Sequence, residues 1–322
     1  MIATGLLCLQ TASADVQRTA VWIDTDPACN FRFTHDVDDC WALLLALEED
    51  SLDIRGISSV FGNTNESESH ETLVRMLEVF ARDDPSPPVY SGADGPIDTL
   101  AAPVSTRNPA SEAMAAALAQ EPLTIIALGP LTNVAALVSS YPQRIANITR
   151  VIAVAGQRPQ HSARIFPGES RLFHVHDFNF RKDVRATEIV LHSSIPITLL
   201  PFEAAQQIGI GSSELATLAE GSQRSHWLSD ISAPWLRFWN VAFKAKNFHP
   251  FDTLAVGFVS WPQLFSCQDM TAWIEFKKAL FVDSRDRLLV AHATQSGSNG
   301  KQVSYCYGVS QSFKTNLIAS LR

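Results

Sequence analysis

The sequence predicts an α/β fold, namely an open, mostly parallel sheet with helices on both faces. Short apolar runs of strand length alternate along the chain with stretches of helical periodicity, which is the pattern of repeated strand and helix units. Several of these runs are almost continuously apolar, as is typical of parallel strands covered on both faces. Of the 322 residues, 46% are hydrophobic, which is enough for a large core.

The first predicted strand, residues 21–23, runs directly into two acids, Asp24 and Asp26. After a loop, Asp38 and Asp39 open an apolar run that has the appearance of a helix. Four carboxylates therefore gather at one strand end, where like charges raise one another's pKa unless a cation, protons or the hydroxyl groups of a ligand offset them. Helix capping by Asp38 or Asp39 would explain one or two of these acids, but not four.

The remaining elements continue the alternation of strands and helices. Further strands are predicted at 53–60, 123–128, 150–155 and 195–200, helices at 67–81, 111–119, 184–191 and 252–259, and several β-rich pieces within 271–307. Ligands of such sheets bind at the carboxyl ends of the strands, so the polar residues at those ends are the candidates for a site.

Residues 212–248 combine helical periodicity with many aromatic rings: Trp227, Trp235, Phe238, Trp239 and Phe243. Packing between helices accounts for such rings in most proteins. The alternative is that one or two of them stack on the flat face of a ligand.

The composition excludes some partners and suggests a compartment. A net charge of −8 without any cluster of lysine and arginine argues against nucleic acid or an anionic membrane surface as the partner, and no apolar run approaches the length of about 20 residues that a membrane-spanning helix needs.

Residues 2–9 are apolar and Ala12-Ser13-Ala14 has the small-x-small form of a cleavage site. We therefore expect an export signal over residues 1–14, or else a disordered or strand-like N-terminus, and one catalytic domain over 15–322. The signal predicts a periplasmic or secreted protein, and without it the protein is expected in the cytoplasm.

The five cysteines show no zinc-type or CxxC spacing. Cys267 and Cys306 flank two β-rich segments. They could form a disulfide in an oxidising compartment, or be two unrelated buried thiols.

Three later motifs follow the Asp24-Thr25-Asp26 and Asp38-Asp39 pairs in order: residues 128–133 (LGPLTN), 177–179 (DFN) and 251–255 (FDTLA). With this set, the chain resembles the inosine-uridine-preferring nucleoside hydrolase family over roughly residues 19–264. The resemblance implies a nucleoside-hydrolase-like fold with a Rossmann-like core and hydrolysis of the N-glycosidic bond of nucleosides to ribose and free base. It also implies one Ca²⁺ ion and a homo-oligomer, either a dimer or a tetramer.

Site residues carry over by position. The resemblance implies that Asp26, Asp39, Asp252 and the backbone carbonyl of Leu128 hold the metal, and that Asp26 takes a proton from the attacking water. It places Asp38, Asn63, Asp177, Asn179 and Asp252 at the ribose hydroxyls, with Asp177 a shorter stand-in for the usual Glu. The residue types agree with this chemistry, because hard oxygen ligands suit Ca²⁺ or Mg²⁺ and a ring of carboxylates stabilises positive charge developing on the sugar.

Three features depart from the family. Phe251 stands where many members have a His that helps the base leave, which makes His249, His174 and His176 candidate acids. Arg171 replaces an Asn near the sugar's 5′ side, indicating an anionic substrate group or another loop path. The insert at residues 29–37 brings His35 and Asp36 beside the site.

Two other functions compete with nucleoside hydrolysis. An exported nucleoside- or ribose-binding protein on the same fold would keep the calcium site without turnover, and Phe251 is its best support. A strand ending in Asp-x-Asp also resembles the nucleophile loop of haloacid-dehalogenase-type phosphatases. That interpretation leaves the Asp38-Asp39 pair, residues 128–133 and Asp252 unexplained.

Overall fold

Nine strands form one sheet within the residues that the computed structural model describes, namely 18–29, 35–80, 85–97, 107–159, 177–276, 286–292 and 300–322. In chain order they are β1 (Thr19–Thr25), β2 (Leu52–Ser59), β3 (Val89–Tyr90), β4 (Leu123–Ala127), β5 (Ile148–Ala153), β6 (Ile197–Leu199), β7 (Phe265–Glu275), β8 (Arg287–Ala291) and β9 (Lys301–Val309). Across the sheet the order is β3-β2-β1-β4-β5-β6-β9-β7-β8. Strand β7 runs opposite to the other eight strands, so the mostly parallel sheet predicted from the sequence is confirmed.

The helices cover both faces of this sheet. In chain order they are α1 (Asp38–Glu48), α2 (Glu66–Val79), α3 (Pro109–Ala117), α4 (Thr132–Ser140), α5 (Phe178–Lys182), α6 (Val184–His192), α7 (Phe202–Ala205), α8 (Ser212–Ala219), α9 (Gln223–Phe243), α10 (Thr253–Ser260) and α11 (Ser312–Leu321), with short 3-10 helices at Pro142–Asn147 and Pro262–Leu264. None of the helices in the described part of the chain is both long and apolar enough to span a membrane.

The alternation of side chains along β1 explains its continuous apolar pattern. Val21 and Ile23 point into the core on one face of the sheet, whereas Trp22 points into the core on the other. Both faces are therefore buried, as expected for a parallel strand inside an α/β sheet.

The β-rich C-terminal region begins earlier than the sequence suggests. Strand β7 starts at Phe265 rather than near residue 271, because its first half is largely exposed and carries no apolar run that would reveal it. It pairs with β9, and in this register Cys267 lies opposite Cys306 and forms a disulfide with it. The pairing left open by the sequence is thus present.

Helix α1 fixes the position of the acidic pair at its start. Nine of its eleven residues are buried, and it packs against α9, α10 and α11. The indole N–H of Trp41 donates to Ser232 Oγ at 2.9 Å, and the Trp41 ring meets Phe248 edge-on. A second disulfide, Cys29–Cys40, which the sequence analysis did not foresee, ties the loop after β1 to the first turn of α1.

Several sequence predictions lie outside the described residues. These are the export signal over residues 1–14, most of the insert (residues 30–34), and the segment 160–176 with Arg171, His174 and His176.

Candidate active site

Asp26 lies directly beyond the end of β1 and is 1% exposed. Its Oδ2 accepts the backbone N–H of Asn63 at 2.7 Å, and its own N–H donates to Asp39 Oδ1 at 3.2 Å. A Cβ at Gly62 would lie 1.9 Å from Asp26 Oδ2, and one at Gly129 would lie 2.7 Å from Oδ1, so both positions require glycine. Oδ1 is buried and has no hydrogen-bond partner among the described residues.

Three further carboxylates meet beside Asp26. Asp38 and Asp39 occupy the first turn of α1, and Asp252 immediately precedes α10. One oxygen from each of the three lies within 4.8 Å of the other two. This tight group includes Asp38, which the resemblance assigns to ribose, while Asp26 joins it through its N–H bond to Asp39.

Asp36 is a fifth acid of the site, and the sequence analysis noted it only as part of the insert. Its Oδ1 accepts the backbone N–H groups of Val37 at 2.7 Å and Asp38 at 3.3 Å. Asp36 thus satisfies amides at the start of α1, while Asp38 Oδ1 accepts only the neighbouring Asp39 N–H at 3.1 Å and the N-cap position itself is Val37. An acid directly before a predicted helix start was the signal that could have identified it.

Burial and mutual repulsion disfavour the ionised form of these acids. Burial is the main cause that raises the pKa of Asp39 to about 6. The pKa values of Asp26, Asp38 and Asp252 are raised well above the usual range, first by burial and then by repulsion from neighbouring carboxylates. Together with the unpartnered Oδ1 of Asp26 and a donor set made only of oxygen, this fits a hard divalent cation among them.

Leu128 and Asn179 meet at the same edge of the sheet. Asn179 Nδ2 donates to the carbonyl oxygen of Leu128 at 2.6 Å and to that of Val154 at 3.3 Å. Since these carbonyls follow β4 and β5, the Asn179 amide is oriented by the ends of two neighbouring strands.

Asp177 is the N-cap of α5. Its Oδ1 accepts the N–H of Phe180 at 3.1 Å and its Oδ2 accepts the N–H of Gly156 at 2.6 Å. Burial raises the pKa of Asp177 to about 6, although these two hydrogen bonds oppose the shift. The carboxylate predicted to contact ribose is therefore held in place by backbone on both oxygens.

Asp24 lies in β1, two residues before Asp26, and is fully buried. Its Oδ1 accepts hydrogen bonds from Ser58 Oγ at 2.6 Å and Asn133 Nδ2 at 2.8 Å, while burial raises its pKa to about 7. The Asn133 amide also donates to the carbonyl of Ser59, so Asp24 links β1, β2 and α4 beneath the site.

A cavity of about 440 Å³ opens over these acids. One set of lining residues consists of Asp36, Asp38, Asp177 and Asp252, with Asn63, Leu128 and Asn179. Together with Asp26 and Asp39, which are hydrogen-bonded to Asn63 without lining the cavity themselves, this set is here called the carboxylate floor. A second set, here called the aromatic wall, consists of seven rings, those of Phe178, Phe202, Trp235, Phe238, Trp239, Phe243 and Phe251. The two side-chain classes are suited to the hydroxyl groups of a sugar and to a flat ring, respectively.

The family model of the inosine-uridine preferring nucleoside hydrolases matches residues 21–313 of the chain. The chain belongs to this family. It is accordingly a hydrolase of the N-glycosidic bond of nucleosides, and the buried aspartate cluster is consistent with the metal dependence of the family.

Related proteins cover most of the chain. The non-specific ribonucleoside hydrolase RihC of Klebsiella pneumoniae subsp. pneumoniae is 25% identical over 279 residues, which span 80% of this chain and 84% of that protein. A plant nucleoside hydrolase matches the structure with a TM-score of 0.74 at 19% identity, covering 94% of this chain and 97% of the plant chain. A purine-preferring ribonucleoside hydrolase from Gardnerella vaginalis has the same TM-score at 17% identity, with coverages of 94% and 98%. At such low identity the structural likeness shows the fold alone.

In this nucleoside hydrolase the residue before Asp252 is Phe251, whose ring makes an aromatic contact. Phe251 stacks on Phe202 with ring centroids 4.9 Å apart and planes inclined by 25°. His249 does not line the cavity; it is half-buried, its Nδ1 lies 2.7 Å from the Ile208 carbonyl, and burial lowers its pKa. Among the described residues, His35 supplies the one imidazole of the cavity lining, with Nδ1 at 3.1 Å from the Ala28 carbonyl.

Proposed function

We propose that this nucleoside hydrolase uses Ca²⁺, held by Asp26, Asp39, Asp252 and the carbonyl oxygen of Leu128, and that Asp26 is the base that accepts a proton from the attacking water. The observation that carries the proposal is the cluster of buried carboxylates from Asp38, Asp39 and Asp252, with Asp26 hydrogen-bonded to Asp39 beside it and its Oδ1 without a partner among the described residues. An all-oxygen set with several carboxylates favours Ca²⁺ over softer ions.

The bound ion would supply positive charge that lets several carboxylates ionise together, and Lewis-acid polarisation of hydroxyl and water oxygens in the site. Asp26 Oδ1 is the atom that takes the proton of the attacking water, since Oδ2 is engaged by the Asn63 amide. The Gly62 and Gly129 backbones pack against the Asp26 carboxylate and hold its orientation.

The remaining polar residues of the site bind and orient the sugar. Asp38, Asn63, Asp177, Asn179 and Asp252 are the residues we assign to the ribose hydroxyls. As the bond to the base breaks, positive charge develops on the anomeric carbon and the ring oxygen of ribose. Fixed carboxylate and amide oxygens around the sugar stabilise that charge more than they stabilise the neutral substrate, which lowers the barrier.

The test is ribose release from a panel of purine and pyrimidine nucleosides, with and without EDTA and with Ca²⁺ added back. We expect release that EDTA abolishes and Ca²⁺ restores, and release at least about 100-fold slower from the Asp26→Asn variant. Asp269→Asn is the matched control, because Asp269 is an exposed acid in β7 outside the cavity lining. If no nucleoside releases ribose but nucleosides bind in a calcium-dependent manner, the chain is a binding protein and the proposal is wrong.

Export and oligomerisation belong to the same proposal. Two disulfides, Cys29–Cys40 and Cys267–Cys306, support a periplasmic or secreted location, because disulfides persist in oxidising compartments. Fractionation of the source cells checks the location. The homo-oligomer stays a prediction, which light scattering of the purified protein would check.

A further inference from the structure

Both the carboxylate floor and the aromatic wall favour positive charge in a ligand. The carboxylate floor attracts cations directly, and the rings of the aromatic wall attract them through the negative face of the ring. Lysine and arginine are absent from the part of the cavity lining that the structure describes. A base that leaves as an anion is therefore poorly accommodated there.

Phe251 also disfavours a base that leaves as an anion. It adjoins Asp252 in the chain and lines the cavity, where its ring stacks on Phe202. A phenyl ring has no proton to donate, so the position next to the floor cannot protonate a departing base. The same stacked pair can, however, contact a cationic ring face to face.

We propose that the preferred substrates are ribosides whose base already carries a positive charge, such as N-ribosylpyridinium compounds and N7-alkylated purine nucleosides. This inference rests on the proposed function, because the same floor must cleave the glycosidic bond.

The chemistry of the leaving group separates the two substrate classes. When the bond between C1′ and nitrogen breaks, both of its electrons stay on the nitrogen. The nitrogen of a neutral base becomes anionic and must gain a proton, whereas that of a cationic base becomes neutral without one. In both classes the water oxygen forms the new bond to C1′ and its proton passes to Asp26. The products from a cationic substrate are ribose, the neutral base and one proton released to solvent.

The first experiment compares charged and neutral members of matched pairs on the calcium-loaded wild-type enzyme. The pairs are N7-methylguanosine with guanosine, and nicotinamide riboside with its 1,4-dihydro form. We expect kcat/KM to be at least about 100-fold higher for the charged member, which is the size of effect that a general acid ordinarily supplies. This measurement needs no variant and so does not depend on the folding of one.

The second experiment compares variants on the same substrate, so the intrinsic difference in reactivity between charged and neutral substrates cancels. Phe251→His supplies an acid beside Asp252 and should raise kcat/KM for guanosine by at least about 10-fold. The value for nicotinamide riboside should not rise, because its base needs no proton and loses the Phe251 ring as a contact. Phe251→Leu is the matched control, because it removes the ring without adding an acid and should improve neither substrate.

Two outcomes would overturn the inference while leaving the proposed function intact. Equal kcat/KM for guanosine and N7-methylguanosine would show that a neutral base leaves as easily as a cationic one. Loss of guanosine cleavage alone in His35→Gln, His174→Gln or His176→Gln would show that a histidine is the missing acid. Absence of ribose release from both classes in the presence of Ca²⁺ would instead overturn the proposed function, and the inference with it.

Discussion

The carboxylate floor and the aromatic wall of the cavity are built in opposite ways. The floor gathers buried acids from strand ends and helix starts, and their mutual repulsion opposes ionisation unless a cation lies among them. The wall is an ordered set of rings that support each other, as in the stack of Trp235 on Phe238 with centroids 5.0 Å apart and planes inclined by 12°. This difference is what the proposed function requires, with the floor suited to chemistry at the sugar and the wall suited to contact with a flat base.

The largest effect is expected at the floor. Asp26→Asn removes the proton acceptor but keeps the shape of the side chain, so kcat should fall by about 100-fold to 10,000-fold. The melting temperature should stay within a few degrees of wild type or rise, because a buried carboxylate is replaced by a neutral amide. Steady-state ribose release and thermal unfolding measure both quantities, with Asp269→Asn as control. Wild-type kcat in Asp26→Asn would contradict the assignment.

A smaller effect, on KM rather than on kcat, is expected at the aromatic wall. Phe238→Leu removes a half-buried ring that lines the cavity, and KM should rise by about 5- to 10-fold while kcat changes little. Phe276→Leu is the control, since this ring is 61% exposed and does not line the cavity. If Phe238→Leu lowered kcat as strongly as Asp26→Asn does, the assignment of catalysis to the floor and of base binding to the wall would be wrong.

The two disulfides allow a similar comparison between regions. Cys267→Ser with Cys306→Ser should lower stability by about 4 kcal/mol and Cys29→Ser with Cys40→Ser by about 3 kcal/mol, because the first pair closes the longer loop. Only the second pair should also reduce kcat/KM, since Cys29–Cys40 ties down the segment that carries His35, Asp36 and Asp38. Urea unfolding and ribose release test both effects. Equal loss of activity in the two double variants would contradict a specific role of Cys29–Cys40 in positioning the site.

The smallest effect concerns the stability of the calcium-free protein. Burial raises the folded-state pKa of Asp24 to about 7 and those of Asp39 and Asp177 to about 6, above the value of about 4 in the unfolded chain. Between about pH 4 and pH 7 the folded state therefore binds more protons than the unfolded state, and stability falls as pH rises. The melting temperature of EDTA-treated protein should drop by several degrees over this window, and added Ca²⁺ should restore it most at the upper end. A rise with pH would contradict these shifts.

Much of the fold and of the floor could be predicted from the sequence because the signals are local. The apolar run of residues 123–128 and the helical spacing of residues 67–81 correspond to β4 and α2, with bounds that differ by no more than two residues. Asp26, Asp39 and Asp252 lie in short motifs at strand ends and helix starts, where parallel topology brings them together.

The parts that could not be predicted depend on contacts between distant segments. The pairing of Cys29 with Cys40 follows from the path of the insert, which no periodicity encodes. The aromatic wall requires Phe202, Phe251 and the rings of α9 to meet, and helix packing alone explained those rings equally well from the sequence. Asp36 was placed beside the site only as part of the insert, because its hydrogen bonds to the Val37 and Asp38 amides depend on the path that the insert takes into α1.

The central claim is that one ion held by the buried acids makes the floor active. Calorimetric titration of Ca²⁺ into EDTA-stripped protein, followed in parallel by ribose release from the same samples, tests it most directly. We predict one ion bound per chain, ribose release that rises in proportion to the bound fraction, and loss of both in Asp39→Asn but not in Asp269→Asn. Full ribose release from stripped protein, or from Asp39→Asn without bound Ca²⁺, would contradict the claim.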